Sequence, residues 1–177
     1  MIQIRQGVFE TNSSSSHAIV VKKNKSPIIR PKAEHGEFAV YDGETLTLTS
    51  ENYFGWGWGV LTSWLDRFAY TMAEFGSIPS SAEEILSKVK ERLGCEIEYG
   101  ECSRWWSDNK MIPDFGDIDH QSKGVLFRFL SEEGIDPVDF IFDDKYIVII
   151  DNDNNDTDAY NAFIAKLEVQ KEFNNWM

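Results

Sequence analysis

Cysteine is scarce in this chain: 177 residues hold only Cys95 and Cys102. Two cysteines exclude a disulfide-stapled scaffold, and without a CxxC pair there is no redox or zinc-ribbon signature. Basic residues are also few, 17 against 30 acidic ones, for a net charge of −13 and a pI near 4.6. Small soluble domains usually carry a net charge of about 2 to 8 in magnitude. A surface built to coat DNA or RNA needs a cationic footprint, which this composition does not supply. Long apolar runs are missing too. The longest aliphatic run is Ile147–Ile150, far below the roughly 20 residues of a membrane span. The opening MIQIRQGVFE has no apolar h-region, so we expect no signal peptide, no membrane association and a cytoplasmic protein. Gly55, Gly57 and Gly59 are not followed by the Lys-Ser/Thr of a phosphate-binding loop.

What is present suffices for a core. Apolar residues make up 42% and aromatics 14%, which argues against wholesale disorder. We expect a single domain over 1–177, an α+β fold with a small antiparallel or mixed sheet and about four helices packed on it. Charge divides this domain. Residues 1–32 hold six basic groups and one acidic, net +5, and residues 33–177 hold 11 basic and 29 acidic, net −18. Residues 108–158 alone hold 14 acids against four bases, net −10. Either the basic segment folds back onto the acidic body, or the molecule shows a partner two poles.

Strands are expected at Ile2–Arg5, His17–Lys23, Glu37–Tyr41, Thr45–Thr49, Cys95–Tyr99 and Tyr146–Ile150. Asp42-Gly43 is a hairpin signal, and Tyr146–Ile150 has the unbroken apolarity of a central strand. Apolar residues at Val60, Leu61, Trp64, Leu65, Phe68, Met72 and Phe75 predict a helix ending at Gly76. A second helix should open at Pro79 with a capping box, Ser80 with Glu83 or Ser81 with Glu84, and close before Gly94. Residues 100–119 read as irregular, 120–132 as a helix, 137–142 as ambiguous and 157–173 as a final helix.

The most unusual stretch is Arg5-Gln-Gly-Val-Phe-Glu-Thr-Asn-Ser-Ser-Ser-Ser-His17. Serine becomes a nucleophile where a base takes its proton, so Ser13 or Ser16 with His17 is one reading. Hydroxyls and amides beside Arg5 also suit an anion, such as a nucleotide phosphate. A polar loop that satisfies its own backbone is the third reading. No GxSxG elbow supports the nucleophile. The stretch resembles the N-terminal R-x-G-x-F-E-T-N-S-S-S-S-H segment of uncharacterised proteins from Gram-positive bacteria and their phages. The resemblance covers thirteen residues and implies a setting of phage–host conflict, where acidic inhibitors such as anti-CRISPR proteins occur.

Two functions of different class follow. In the first, carboxylates imitate the phosphates of a duplex, one charge per roughly 1.7 Å of axis. They would engage a basic groove on a nucleic-acid-handling protein, an RNA-guided nuclease being one example. Asp108, Asp114, Asp117, Asp119, Asp136, Asp139, Asp143, Asp144, Asp151 and Asp153 would supply the charge, with Trp105 and Trp106 as desolvated anchors. The basic segment 1–32 would make a local nucleic-acid contact. In the second, the Ser13–His17 loop with Arg5 handles a nucleotide or phosphate ligand, with His17 as acid/base. Neither function calls for a cofactor or a metal. The Asp151–Asp156 loop lacks the glycine and glutamate of a calcium-binding loop, and the Cys and His spacings match no zinc pattern.

Overall fold

A computed structural model describes residues 17–22, 34–36, 38–49, 51–54, 59–100, 104–107, 110–119, 122–150 and 169–174. The helix at its centre, α1 (Trp64–Phe75), starts where a capping box closes. Ser63 Oγ accepts from the Asp66 N–H and Asp66 Oδ2 from the Ser63 N–H, both at 3.1 Å. Apart from Asp66, every residue of α1 is buried. A helix buried all round sits inside a molecule rather than on it, and here the three other described helices and two strands pack against it. The capping box also explains why Val60 and Leu61 are not part of the helix. They lie in β6 (Gly59–Leu61), opposite Ile149 and Val148.

The second helix, α2 (Pro79–Leu93), uses Pro79 at its first position and has no side-chain cap at Ile78. Neither expected capping box forms, because the earlier start places Ser80 and Ser81 inside the first turn. Ala82, Ile85, Leu86, Val89 and Leu93 face the core, and Gly94 ends the helix in the left-handed region at φ 63°. Helix α3 (Val125–Glu133) begins later than the sequence suggests, after a turn at 122–124. The ambiguous segment is helix α4 (Pro137–Phe142), with Asp136 as N-cap and Pro137 at the first position.

Strand β11 (Tyr146–Ile150) is buried at every residue. It lies inside a sheet of order β12–β1–β11–β6, flanked antiparallel by β1 (His17–Lys22) and β6. The expected helix over 157–173 is overturned at its end, because Val169–Asn174 is strand β12, antiparallel to β1. The pairing carries a bulge, with Val169 opposite Lys22 and Lys171 opposite Val21. The backbone edge of β1 offers ladder hydrogen bonds, and these select the strand.

A second sheet runs β2–β3–β4–β7, from β2 (Glu34–His35), β3 (Ala39–Tyr41), β4 (Thr45–Leu48) and β7 (Glu96–Tyr99). The β3–β4 hairpin turns at Asp42, whose Oδ1 accepts from the N–H groups of Glu44 and Thr45 at 2.8 Å. The stretch 100–119, expected to be irregular, contains three strands. They are β8 (Arg104–Ser107) and β9 (Lys110–Pro113), which form a hairpin, and β10 (Gly116–Ile118). β10 pairs in parallel with β5 (Asn52–Phe54). The fold is α+β, with four helices among small antiparallel and mixed sheets in the described residues. One hydrophobic cluster joins β3, β4, β10, β11 and all four helices.

Candidate functional site

The aspartates nominated by the sequence separate into two groups. The first surrounds α4, and every member there meets a cation of the same chain. Asp136 caps α4 through Oδ1, which accepts from the Val138 N–H at 2.8 Å, and its Oδ2 accepts from Lys88 Nζ at 2.7 Å. Burial opposes the charge on Asp136, but the Lys88 bond and the Val138 N–H outweigh it and hold the carboxyl below its ordinary range. Asp139 faces Arg92 at 3.9 Å, Asp143 meets Lys145 at 2.6 Å, and Asp144 meets Arg67 at 3.2 Å. Ion pairing inside the chain offsets part of this group's charge, with Lys88 shared between Asp136 and Glu84.

The second group lies where β10 runs beside β5. Asp114 Oδ1 accepts from the Gly116 N–H at 2.9 Å and sets the turn into β10. Gly116 sits at φ 88°, where a Cβ would fall 1.7 Å from the Asn52 carbonyl oxygen, so only glycine lets the two strands approach. The parallel register puts Asp117 opposite Tyr53 and Ile118 opposite Phe54. Phe54 packs against Tyr70 of α1, ring centroids 5.1 Å apart. Tyr53, its neighbour on the alternate face, is 60% exposed.

Three carboxylates act on Tyr53. Its hydroxyl donates to Glu51 Oε2 at 2.6 Å. That bond, with the charges of Glu51, Asp114 and Asp117, pushes the phenol up to about 12. The hydrogen bond to Glu51 is the largest cause of that rise. Lys123 Nζ meets Asp117 Oδ1 at 2.8 Å. Asp119 continues the strand end, its N–H donating to the Phe54 carbonyl at 2.9 Å.

The remaining nominees are placed less fully. Trp105 and Trp106 lie on β8, in register with Ile112 and Met111 of β9. His17 opens β1 opposite Ile150. Arg5, Ser13, Ser16, Asp108, Asp151 and Asp153 fall outside the described residues, as do Cys102 and the expected strand Ile2–Arg5. Among the described residues, no three His, Cys, Asp or Glu side chains converge as a metal site, and no helix is long and apolar enough to cross a membrane. Cys95 is a buried free thiol.

Sequence reasoning missed Tyr53 and Glu51, although their flanking of the acidic stretch in space is what makes the second group distinctive. No local signal could reveal it, since β5 and β10 are about sixty residues apart in the chain. It also missed two buried charges. Arg67 is fully buried on α1 and Glu74 is only 7% exposed. Glu74 Oε1 accepts from the Phe127 N–H at 3.4 Å, near the start of α3, where the N-cap Gly124 has no side chain to offer. Burial raises this carboxyl, and the amides of Phe127 and Gly124 partly offset the rise. A weak clue to Arg67 was its place three residues after Trp64 and four before Thr71, on the buried side of α1.

No protein-family model, curated protein or solved structure matches this chain.

Proposed function

We propose that the chain is an acidic binding protein that occupies a basic groove of a nucleic-acid-handling protein and inhibits it, its carboxylates standing where phosphates would. One observation carries this reading. On the β5–β10 pair, Glu51 accepts from the hydroxyl of the exposed Tyr53 ring, Asp117 lies opposite that ring in register, and Asp114 sets the turn just before. The chain's overall charge of −13 adds long-range attraction for such a partner. The α4 aspartates, each already paired, contribute less than their number suggests. The phage setting rests on the resemblance of Arg5–His17 alone.

The test is retention of nucleic-acid-binding proteins from bacterial lysate on the immobilised chain. Retention should fall steeply with salt, be displaced by duplex DNA, and be lost in an Asp114→Lys, Asp117→Lys double variant. Retention that resists both DNA and the double reversal would sink the mimicry.

A further inference from the structure

We propose that Glu74 is a proton-controlled latch: its buried carboxyl, reaching from the last turn of α1, holds the first turn of α3 closed when protonated and lets that turn open when ionised. This inference is independent of the binding reading above. Every other described helix starts with a device of its own. Ser63 caps α1, Asp136 caps α4, and α2 and α4 carry proline at the start. Helix α3 has neither a side-chain cap nor a proline. Its N-cap is Gly124, with nothing to fold back onto the orphan amides, and its first turn holds no acid. The acceptor comes instead from another helix, 53 residues away along the chain, where Glu74 Oε1 accepts from the Phe127 N–H at 3.4 Å.

The carboxyl that does this is poorly housed. Glu74 is only 7% exposed, its bond to Phe127 is long, and Oε2 is buried with no hydrogen-bond partner. A charge there is shut away from solvent and meets no donor at its second oxygen. Tyr70 one turn earlier on α1, Lys123 ahead of α3 and Asp117 on β10 also act on the group. The amides of α3 and Lys123 favour its charge, and Asp117 and burial oppose it. Burial is the largest of these influences, so the closed joint prefers the neutral acid. An ionised Glu74 gains by swinging the turn away and reaching water. A neutral one keeps an acceptor on Phe127 without the charge. Phe75 and Phe127 also meet across this joint, ring centroids 6.0 Å apart, so its opening uncovers Phe75.

Amide hydrogen exchange on the full chain from about pH 4 to 8, corrected for the intrinsic rate, tests the latch. Protection of the Phe127 amide should fall as pH rises from about 4.5 through the closed-state pKa, by at most about ten-fold per pH unit. The amides of β11 should stay protected over the same range. Glu74→Gln keeps an acceptor and cannot ionise, so its Phe127 protection should be flat with pH. Tyr70, Lys123 and Asp117 remain in that variant, and any pH dependence that they cause would survive in it. Glu74→Ala, which removes the acceptor, should lower Phe127 protection at every pH. Circular dichroism checks that each variant is folded, and the wild-type profile stands without them. A flat wild-type profile, a Gln variant that keeps the wild-type slope, or β11 amides that lose protection in step with Phe127 would overturn the latch.

Discussion

Arg67 and Asp144 form an ion pair at 3.2 Å in which one member is fully buried and the other is 53% exposed. The guanidinium is held mainly by backbone. Nε donates to the Ile141 carbonyl at 2.9 Å, and Nη1 donates to the carbonyls of Tyr146 at 3.0 Å and Thr62 at 2.5 Å. One side chain of α1 thus closes the C-terminal part of α4, the start of β11 and the loop before α1 itself. Burial pulls the Arg67 pKa down and Asp144 pulls it back up, and at any ordinary pH the group stays charged.

The first prediction follows from that asymmetry. Arg67→Met should cost about 3 kcal/mol or more, because the buried carbonyl oxygens of Ile141 and Tyr146 lose their donor. Arg67→Lys should recover only part of this, since an ammonium lacks the fork. Asp144→Ala should cost about 1 kcal/mol, because the exposed partner is replaced by water. Urea denaturation of the three variants checks the order. Equal losses for Arg67→Met and Asp144→Ala would mean that the ion pair, not the carbonyl network, is the main contribution.

Glu74 gives a pH dependence of definite sign. Burial lifts its folded-state pKa above the ordinary value of 4.5, so the native state holds a proton that the unfolded chain has released. Stability from this group is fully present below about pH 4.5 and is lost as pH rises through the folded pKa. Tyr70 on the same helix, Lys123 before α3 and Asp117 on β10 are the charged or titratable neighbours. Glu74→Gln keeps an acceptor for the Phe127 N–H and removes the titration. Its stability at pH 7 should equal or exceed wild type, and the difference should vanish near pH 4. Unfolding curves at pH 4, 5.5 and 7 test this, and a Gln variant that is less stable at pH 7 than at pH 4, relative to wild type, refutes it.

Asp136 behaves in the opposite sense. Its folded pKa lies below the ordinary 3.8, so its contribution is present above that value and disappears as pH falls through the folded pKa. Asp136→Asn preserves the cap on Val138 and loses the charge that meets Lys88, and should cost about 0.5 kcal/mol. Asp136→Ala loses both and should cost about 1 to 2 kcal/mol. A thermal melt series at pH 6 separates them. An Asn variant as unstable as the Ala variant would show that the ion pair matters and the cap does not.

The sequence made some of this architecture legible and left other parts hidden, for identifiable reasons. Elements fixed by local chemistry could be read: the Asp42-Gly43 hairpin, the apolar side of α1, Gly94 after α2 and the buried run of β11. Elements fixed by a distant partner could not. β12 takes its conformation from β1, and β10 from β5, so neither had a local period to betray it. The same holds for the site. Asp114, Asp117 and Asp119 were visible as acids in a charged stretch. Counting charge could not tell them from Asp136, Asp139, Asp143 and Asp144, whose counterions come from α1, α2 and the turn before β11. Tyr53, the residue that distinguishes the first set, comes from the other strand.

Gly116 ties the fold to that site and yields the last prediction. Its φ of 88° is one that L side chains rarely adopt, and a Cβ there would sit 1.7 Å from the Asn52 carbonyl oxygen and 2.5 Å from the Asn52 nitrogen. Both contacts are with backbone, so no side-chain rotation relieves them. Gly116→Ala should therefore push β10 off β5, at a cost of at least about 2 kcal/mol. The loss should be local before it is global. β11 lies in a separate sheet and pairs with neither strand, whereas the register of Asp117 with Tyr53 depends on this pairing. Hydrogen exchange should show faster exchange at Asp119, whose N–H reaches Phe54 at 2.9 Å, while amides of β11 stay protected. A Gly116→Ala protein in which the Asp119 amide stays protected would show that the strands tolerate the methyl group.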